Sequence, residues 1–220
     1  MNVLTIAYAG EGGTDEKFLA NIILRTFEDV VIETKNYIEI HDPVYIDKKG
    51  ESAIDKIMYV AERAEGFHVL CFHADADDEN DKKAFEERIN PGFSVVEKSE
   101  KAVCKNLVAI VPVHMTEAWI LADFDAFKDE IGTEKTNNEL GLPIKISQIE
   151  KLTNPKEIIN DAIKIAFENY SSRRNIPRIG EIYIPLSQRI RIDSLKNLPS
   201  YLKFRDAVKN ALIKLNYIQN

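Results

Sequence analysis

The sequence predicts an α/β protein with a mainly parallel central sheet flanked by helices, and a helical C-terminal part. Three observations carry this. Short apolar runs at residues 3–9, 67–72 and 107–113 read as buried strands. Amphipathic segments of helical spacing separate them, the pattern of right-handed crossovers between parallel strands. After Gly132 the apolar runs give way to helical periodicity alone.

Taken in order, residues 3–9 form the first strand and end at Gly10. Residues 14–28 follow as a helix whose apolar face is Phe18, Leu19, Ile22, Ile23 and Phe27. Thr14 suits its N-cap, although Lys17 stands where a capping box needs Glu. Residues 30–40 are β-branched and interrupted by polar side chains, so they read as a second strand or strand pair. A loop through Asp42-Pro43 and Lys48-Lys49-Gly50 leads to a helix over 52–64, with Ile54, Ile57, Met58 and Ala61 inward. Residues 67–72 are the next strand, and 81–89 a helix that Asn90-Pro91-Gly92 should stop. Residues 107–113 are a third buried strand, followed by a helix over 117–131. Gly141-Leu142-Pro143 marks a loop, and helices are expected over 155–170 and 199–217. A soft boundary near residue 132 divides the chain into an α/β domain, 1–132, and a mainly helical extension, 133–220, packed on it.

Composition narrows the class. With 45% hydrophobic and 30% charged residues in 220, the chain can bury a full core and carry a polar surface. Its longest apolar stretch, 107–113, is far too short to span a bilayer. The N-terminus has no basic leader and runs straight into strand-like sequence, so no secretory signal and a cytoplasmic location are expected. Cys71 and Cys104 sit in or beside apolar runs and read as reduced core thiols rather than a disulfide or zinc pair. The net charge of −7 is unevenly placed: residues 171–220 carry ten Lys/Arg against three Asp/Glu, a segment of +7, which leaves −14 on the first 170. That split suits an acidic, cation-binding centre with a polyanion contact, and it equally suits an acidic body onto which the tail folds back.

Acidic residues cluster where strands end. The first strand runs into Gly10-Glu11-Gly12-Gly13-Thr14-Asp15-Glu16, the second apolar strand into His73-Ala74-Asp75-Ala76-Asp77-Asp78-Glu79, and the third into His114-Met115-Thr116-Glu117. The carboxyl ends of parallel strands form one edge, where ligands bind. Two carboxylates about 4 Å apart repel by roughly 4 kcal/mol at an effective dielectric near 20, so acids gathered there call for a cation, and Mg²⁺ is the natural one. Each acid also has a plainer reading. Glu11 is either a ligand or a solvated turn residue, Asp75 and Asp77 either a paired site or an acidic helix start, and Glu117 either a ligand or a favourable helix N-terminal charge. The glycines do not form a dinucleotide fingerprint, since Asp15 stands where the third glycine belongs, and the P-loop lysine is missing.

His41, His68, His73 and His114 have no helical metal spacing, although His73 and His114 end two strands and would line the site. Trp119 reads as a packing anchor. Arg173, Arg174, Arg178, Arg189 and Arg191 are candidates for nucleic-acid phosphates, or else solvated surface; no aromatics interleave with them as in a stacking platform.

Glu11-Gly12-Gly13-Thr14-Asp15 together with Asp75-Ala76-Asp77 resembles the Toprim pattern of topoisomerases, DnaG-type primases and overcoming-lysogenization-defect (OLD) nucleases. Residues 115–123, Met-Thr-Glu-Ala-Trp-Ile-Leu-Ala-Asp, are similar to the Glu-Ala-Trp-Leu-Leu-Ala-Asp stretch of a small bacterial family, domain of unknown function 4276. Tyr183-Ile184-Pro185 and residues 198–204 resemble that family's C-terminal end, so the likeness spans nearly the whole chain. The resemblance implies a Toprim-like architecture and Mg²⁺, or Mn²⁺, for phosphodiester chemistry. Glu11 would be general acid/base or first metal ligand, Asp75 and Asp77 would hold the ion, Asp15 would be a secondary acid and Glu117 would complete the cluster. It also implies a place in bacterial defence against phage or plasmids beside an SMC/ABC- or AAA-type ATPase. No topoisomerase tyrosine stands out among the eight tyrosines and no ATP-binding motif is present, so strand passage is not expected and nucleotide-driven steps fall to a partner. The expectation is a metal-dependent nuclease acting on DNA or RNA, with homo-oligomerisation open. A non-catalytic regulatory or adaptor subunit, and a small-molecule phosphohydrolase or nucleotidyl transferase, are the competing readings.

Overall fold

Side chains alternating along three apolar strands sort the interior into two layers, one on each face of a parallel sheet. The computed structural model describes residues 2–34, 37–168 and 176–219, with Thr14 and Asp15 described in backbone only. The strands are β1 (Asn2–Leu4), β2 (Ile6–Ala9), β3 (Ile38–Ile40), β4 (Val44–Tyr45), β5 (Val69–His73) and β6 (Leu107–Ile110). β2 lies at the centre of the order β4-β2-β5-β6, and β1 pairs with β3, every pairing being parallel. The first strand is split at Thr5, whose amide donates to His68 Nδ1 (3.1 Å) instead of joining a ladder. Ile6, Tyr8, Val69, Cys71, Val108 and Ile110 face one core layer, and Ala7, Ala9, Leu70, Phe72 and Ala109 the other. A parallel sheet covered on both faces explains why its strands read as continuous apolar runs.

The first layer is closed by α1 (Gly13–Thr34), the second by α2 (Ala53–Arg63) and α4 (Asn90–Lys98). The expected α/β class, with helices flanking parallel strands and a helical C-terminal part, is therefore what the chain adopts. Ser52 caps α2 in a reciprocal box with Asp55.

Three elements differ from their sequence reading, and the helix Ile179–Arg189 has no counterpart in it. First, α1 starts at Gly13 and runs to Thr34, so Val30 and Val31, read as strand, are buried helix residues, and the strand begins only at Ile38. Burial of that face outweighs the β preference of two valines. Second, Asn90-Pro91-Gly92 does not stop the helix. α3 (Lys82–Ala84) passes through a π-helical turn, Phe85–Ile89, into α4. Pro91 sits in the first turn of α4, and the wider turn before it absorbs the missing amide. Gly92 serves packing, because a Cβ there would collide with Ile57 of α2. Third, residues 117–131 form two helices, α5 (Glu117–Ile120) and α6 (Phe124–Ile131). Asp123 breaks them by taking extended backbone and capping α6 through Ala126 N–H (3.3 Å), and left-handed Gly132 (φ 68°) ends α6.

The C-terminal part holds a 3₁₀ turn, Ile146–Lys151, then α7 (Pro155–Phe167), α8 (Ile179–Arg189), α9 (Ile192–Leu195) and α10 (Pro199–Lys214). α8 lies along α1, and α10 along α1 and β6. One continuous core joins Ile6, Phe18 and Ile110 to Ile163, Leu186 and Phe204, so both sides of residue 132 share it. Trp119 is fully buried, stacked on Phe204 (5.9 Å) and edge-on to Tyr201 (5.4 Å), with its indole N–H donating to Ser200 Oγ (2.8 Å). Cys71 and Cys104 are free and buried, and burial pushes both thiols above their usual range. Among the described residues no helix is long and apolar enough to cross a membrane.

Candidate functional site

Backbone pairing between β5 and β6 continues past both strands, and this places the acids. Ala74 N–H donates to Ile110 O (3.0 Å), Ala76 to Pro112 O (3.0 Å) and Asp77 to His114 O (3.1 Å), while His114 N–H returns to Asp78 O (3.3 Å). Asp77 (φ 54°) and His114 (φ 59°) are both left-handed. The Asp77 N–H bond to His114 O, with that from His114 N–H to Asp78 O, holds a conformation that costs an L-residue about 1–2 kcal/mol. The extended segment therefore carries Asp75 but turns at Asp77, and the two carboxylates part company.

Asp75 is a partly buried side chain in a small polar group. Its Oδ1 lies 3.2 Å from His73 Nε2 and 3.4 Å from the Thr116 hydroxyl, which itself lies 3.1 Å from the same ring nitrogen. His73 and Thr116 are fully buried, so this carboxylate is held in one orientation. Asp77 is 71% exposed and lies 3.4 Å from Arg88 Nη1. Arg88 also donates through Nη2 to Asp75 O (2.5 Å) and thereby grips the strand end itself.

Glu11 follows β2 and is exposed. Lys48 Nζ lies 3.9 Å from its Oε1, donates to His73 O (2.6 Å) and rests 4.4 Å over the Phe72 ring. These groups open into a cleft of about 510 Å³ between the sheet edge and α2, lined among others by Gly10, Glu11, Asp47, Lys48, Lys56 and Arg88. Tyr45 also lines it; burial first, then its hydrogen bond to Glu16, raise its phenol well above the ordinary range, so it stays a neutral donor.

Glu117 is buried elsewhere, accepting from the Tyr183 hydroxyl (2.6 Å) with Lys156 Nζ at 3.7 Å. The side chain of Asp15 lies outside the described residues. Glu11, Asp75 and Asp77 thus follow strand ends at one edge and Glu117 is held in the core, each with its own cation or hydrogen-bond donor. Among the described residues no three His, Cys, Asp or Glu side chains are grouped so as to hold a metal ion. A preformed all-protein cage is therefore not what these groups make. Mg²⁺ is commonly held through one or two carboxylates with water and substrate phosphate completing the shell, and a pinned carboxylate such as Asp75 fits that manner of binding.

Arg173 and Arg174 lie outside the described residues. Arg178 gives its backbone N–H to Glu181 at the start of α8 (2.9 Å), and Arg189 pairs with Glu130 (3.1 Å). Arg191 forks onto Asp123 (2.7 Å). Burial alone would raise the Asp123 carboxyl, but the Arg191 hydrogen bonds outweigh it and hold the group below its usual range. Lys196 and Arg205 both pair with Asp29 and Glu33, and Lys203 pairs with Asp81. Much of the basic tail is spent on the acidic body.

Sequence reasoning missed Lys48, Lys56, Arg88 and Tyr183. Lys48 has a faint signal, a basic pair just before Gly50 and a capped helix; Arg88 has none, since the π turn that aims it is not encoded by periodicity. A family model described as domain of unknown function (DUF4276) matches residues 10–199. No curated protein and no solved structure matches the chain.

Proposed function

The chain belongs to the DUF4276 family, and from that premise we propose that it is a metal-dependent nuclease hydrolysing phosphodiester bonds in DNA or RNA at the carboxyl edge of its sheet. The observation that carries the reading is Asp75, fixed by His73 and Thr116 at the end of a central strand whose neighbouring Ala74 lines a cleft with three cationic side chains. Asp75, with Glu11 or Asp77, would hold Mg²⁺ or Mn²⁺, which when bound supplies an activated water and neutralises charge on the phosphate. Lys48 and Arg88 hold the end of β5 in place through His73 O and Asp75 O and lend positive charge to the rim. Glu11, which lines the cleft, would accept a proton from an attacking water. The setting in this reading is cytoplasmic, in anti-phage or anti-plasmid defence beside an SMC/ABC- or AAA-type ATPase.

Cleavage of single- and double-stranded DNA and of tRNA, each with Mg²⁺, Mn²⁺ or EDTA, tests it. Asp75→Ala and Glu11→Ala should each abolish metal-dependent cleavage; unchanged cleavage in both variants rejects the site. A second reading, a non-catalytic subunit of an ATPase complex, is favoured by Glu117, an acid committed to Tyr183 and Lys156 inside the fold. It predicts stable co-purification with the ATPase and no turnover with any metal.

A further inference from the structure

The cleft between α2 and the ends of β2 and β5 has cations from three separate elements: Lys48 from the loop after β4, Lys56 from the first turn of α2, and Arg88 from the π turn. Two of them are pre-positioned. Lys48 Nζ is anchored on His73 O (2.6 Å) and Arg88 Nη2 on Asp75 O (2.5 Å), successive outward carbonyls of one strand end. Among the described residues no ion pair holds Lys56, a half-buried side chain beside them. Against these stand Glu11 and Asp47, so the titratable lining carries one net positive charge at neutral pH.

A lining of three cationic and two acidic side chains favours an anion that carries hydrogen-bonding groups of its own. The phosphate of a nucleotide is such an anion, and ammonium and guanidinium donors bind its oxygens with charge-assisted hydrogen bonds. The cleft volume, about 510 Å³, falls in the range of roughly 300–1,000 Å³ typical of small-ligand sites and exceeds what a bare phosphate needs. Glu11 and Asp47 are acceptors placed for the hydroxyl or amino donors of the rest of a nucleotide.

We infer that this cleft is a nucleotide subsite, in which Lys56, with Lys48 and Arg88, takes the phosphate group and Glu11 and Asp47 face the sugar or base. The C-terminal arginines play no part in it. The inference rests on the nuclease reading for its choice of nucleotide, but it concerns binding rather than turnover.

The experiment is calorimetric titration of the full chain with AMP in EDTA, adenosine being the control. AMP should bind at least tenfold more tightly than adenosine. Lys56→Ala should weaken AMP about tenfold and lower the salt slope of single-strand binding by roughly 0.7, the loss of one phosphate contact. Lys56→Gln, which keeps the chain length without the charge, should do the same while both variants retain the wild-type melting temperature. Equal affinity for AMP and adenosine, or AMP binding unchanged in both Lys56 variants, overturns the subsite. A protein that cleaves nucleic acid yet ignores AMP overturns the subsite and leaves the nuclease reading standing. AMP binding that depends on Lys56, with no cleavage under any metal, supports the subsite and removes the nuclease.

Discussion

The Tyr183 hydroxyl donates to Glu117 Oε1 across 2.6 Å inside the core, tying α8 to the first turn of α5. Both side chains are at least nine-tenths buried. Tyr183→Phe removes the donor and leaves a buried carboxylate oxygen short of a partner, a loss of about 1–3 kcal/mol. Chemical denaturation should show a lower midpoint with an unchanged m-value. Tyr183→Phe with Glu117→Gln should cost less than the two single losses added together, because the pair is one interaction.

Gly92 is a packing residue. Replacing it with alanine gains about 1 kcal/mol of helix propensity but drives a methyl into Ile57, and overpacking of this kind costs about 1–3 kcal/mol. Gly92→Ala should therefore melt lower than wild type, and adding Ile57→Val should recover part of the loss.

The Asp123–Arg191 pair gives the fold an acid-sensitive joint. The folded-state carboxyl titrates below its unfolded value, so its stabilisation is complete above the usual carboxylate pKa and is lost as pH falls through the depressed folded value. Asp123→Asn should lower the melting temperature at pH 7 and narrow the gap from wild type as the pH drops below about 4, where an ordinary Asp protonates. Melting curves across pH 2.5–7 check this.

Thr116 touches both His73 and Asp75 without facing solvent. If Asp75 serves the reaction, Thr116→Val should lower cleavage about 10–100-fold, the usual effect of losing an orienting partner behind a metal ligand. Thr116→Ser, which keeps the hydroxyl, should restore most of it. Equal activity in the valine and serine variants would reduce Thr116 to a packing residue.

What could be read from the chain follows from locality. Ile6 to Ala9, Val69 to Phe72 and Leu107 to Ile110 are apolar at every position because both faces of the sheet are covered, and that signal needs no knowledge of the rest. The acids at the strand ends were legible for the same reason. Their orientation was not: whether Asp77 joins Asp75 depends on a left-handed turn held by His114, 37 residues away. Val30 and Val31 have strand character in isolation and become helical only because α1 finds α8 and α10 to lie against. Asn90-Pro91-Gly92 carries the residue types of a helix stop, yet the π turn accommodates the proline and Ile57 requires the glycine. The fate of Arg189, Arg191, Lys196 and Arg205 was equally hidden, since each finds its acid through the fold rather than along the chain.

Trp119, packed on Tyr201 and Phe204 and bonded to Ser200, also decides how the gene product can be cut. A fragment ending at Gly132 would present that indole, with Ile110 and Phe18, as bare greasy surface and should precipitate when expressed alone. The fragment from Thr133 onward would hold unmatched lysines and arginines and no sheet to rest on. Supplied together in one cell, the halves should find each other and reassemble, which makes the stretch between α6 and α7 the natural place for a split reporter or an inserted tag.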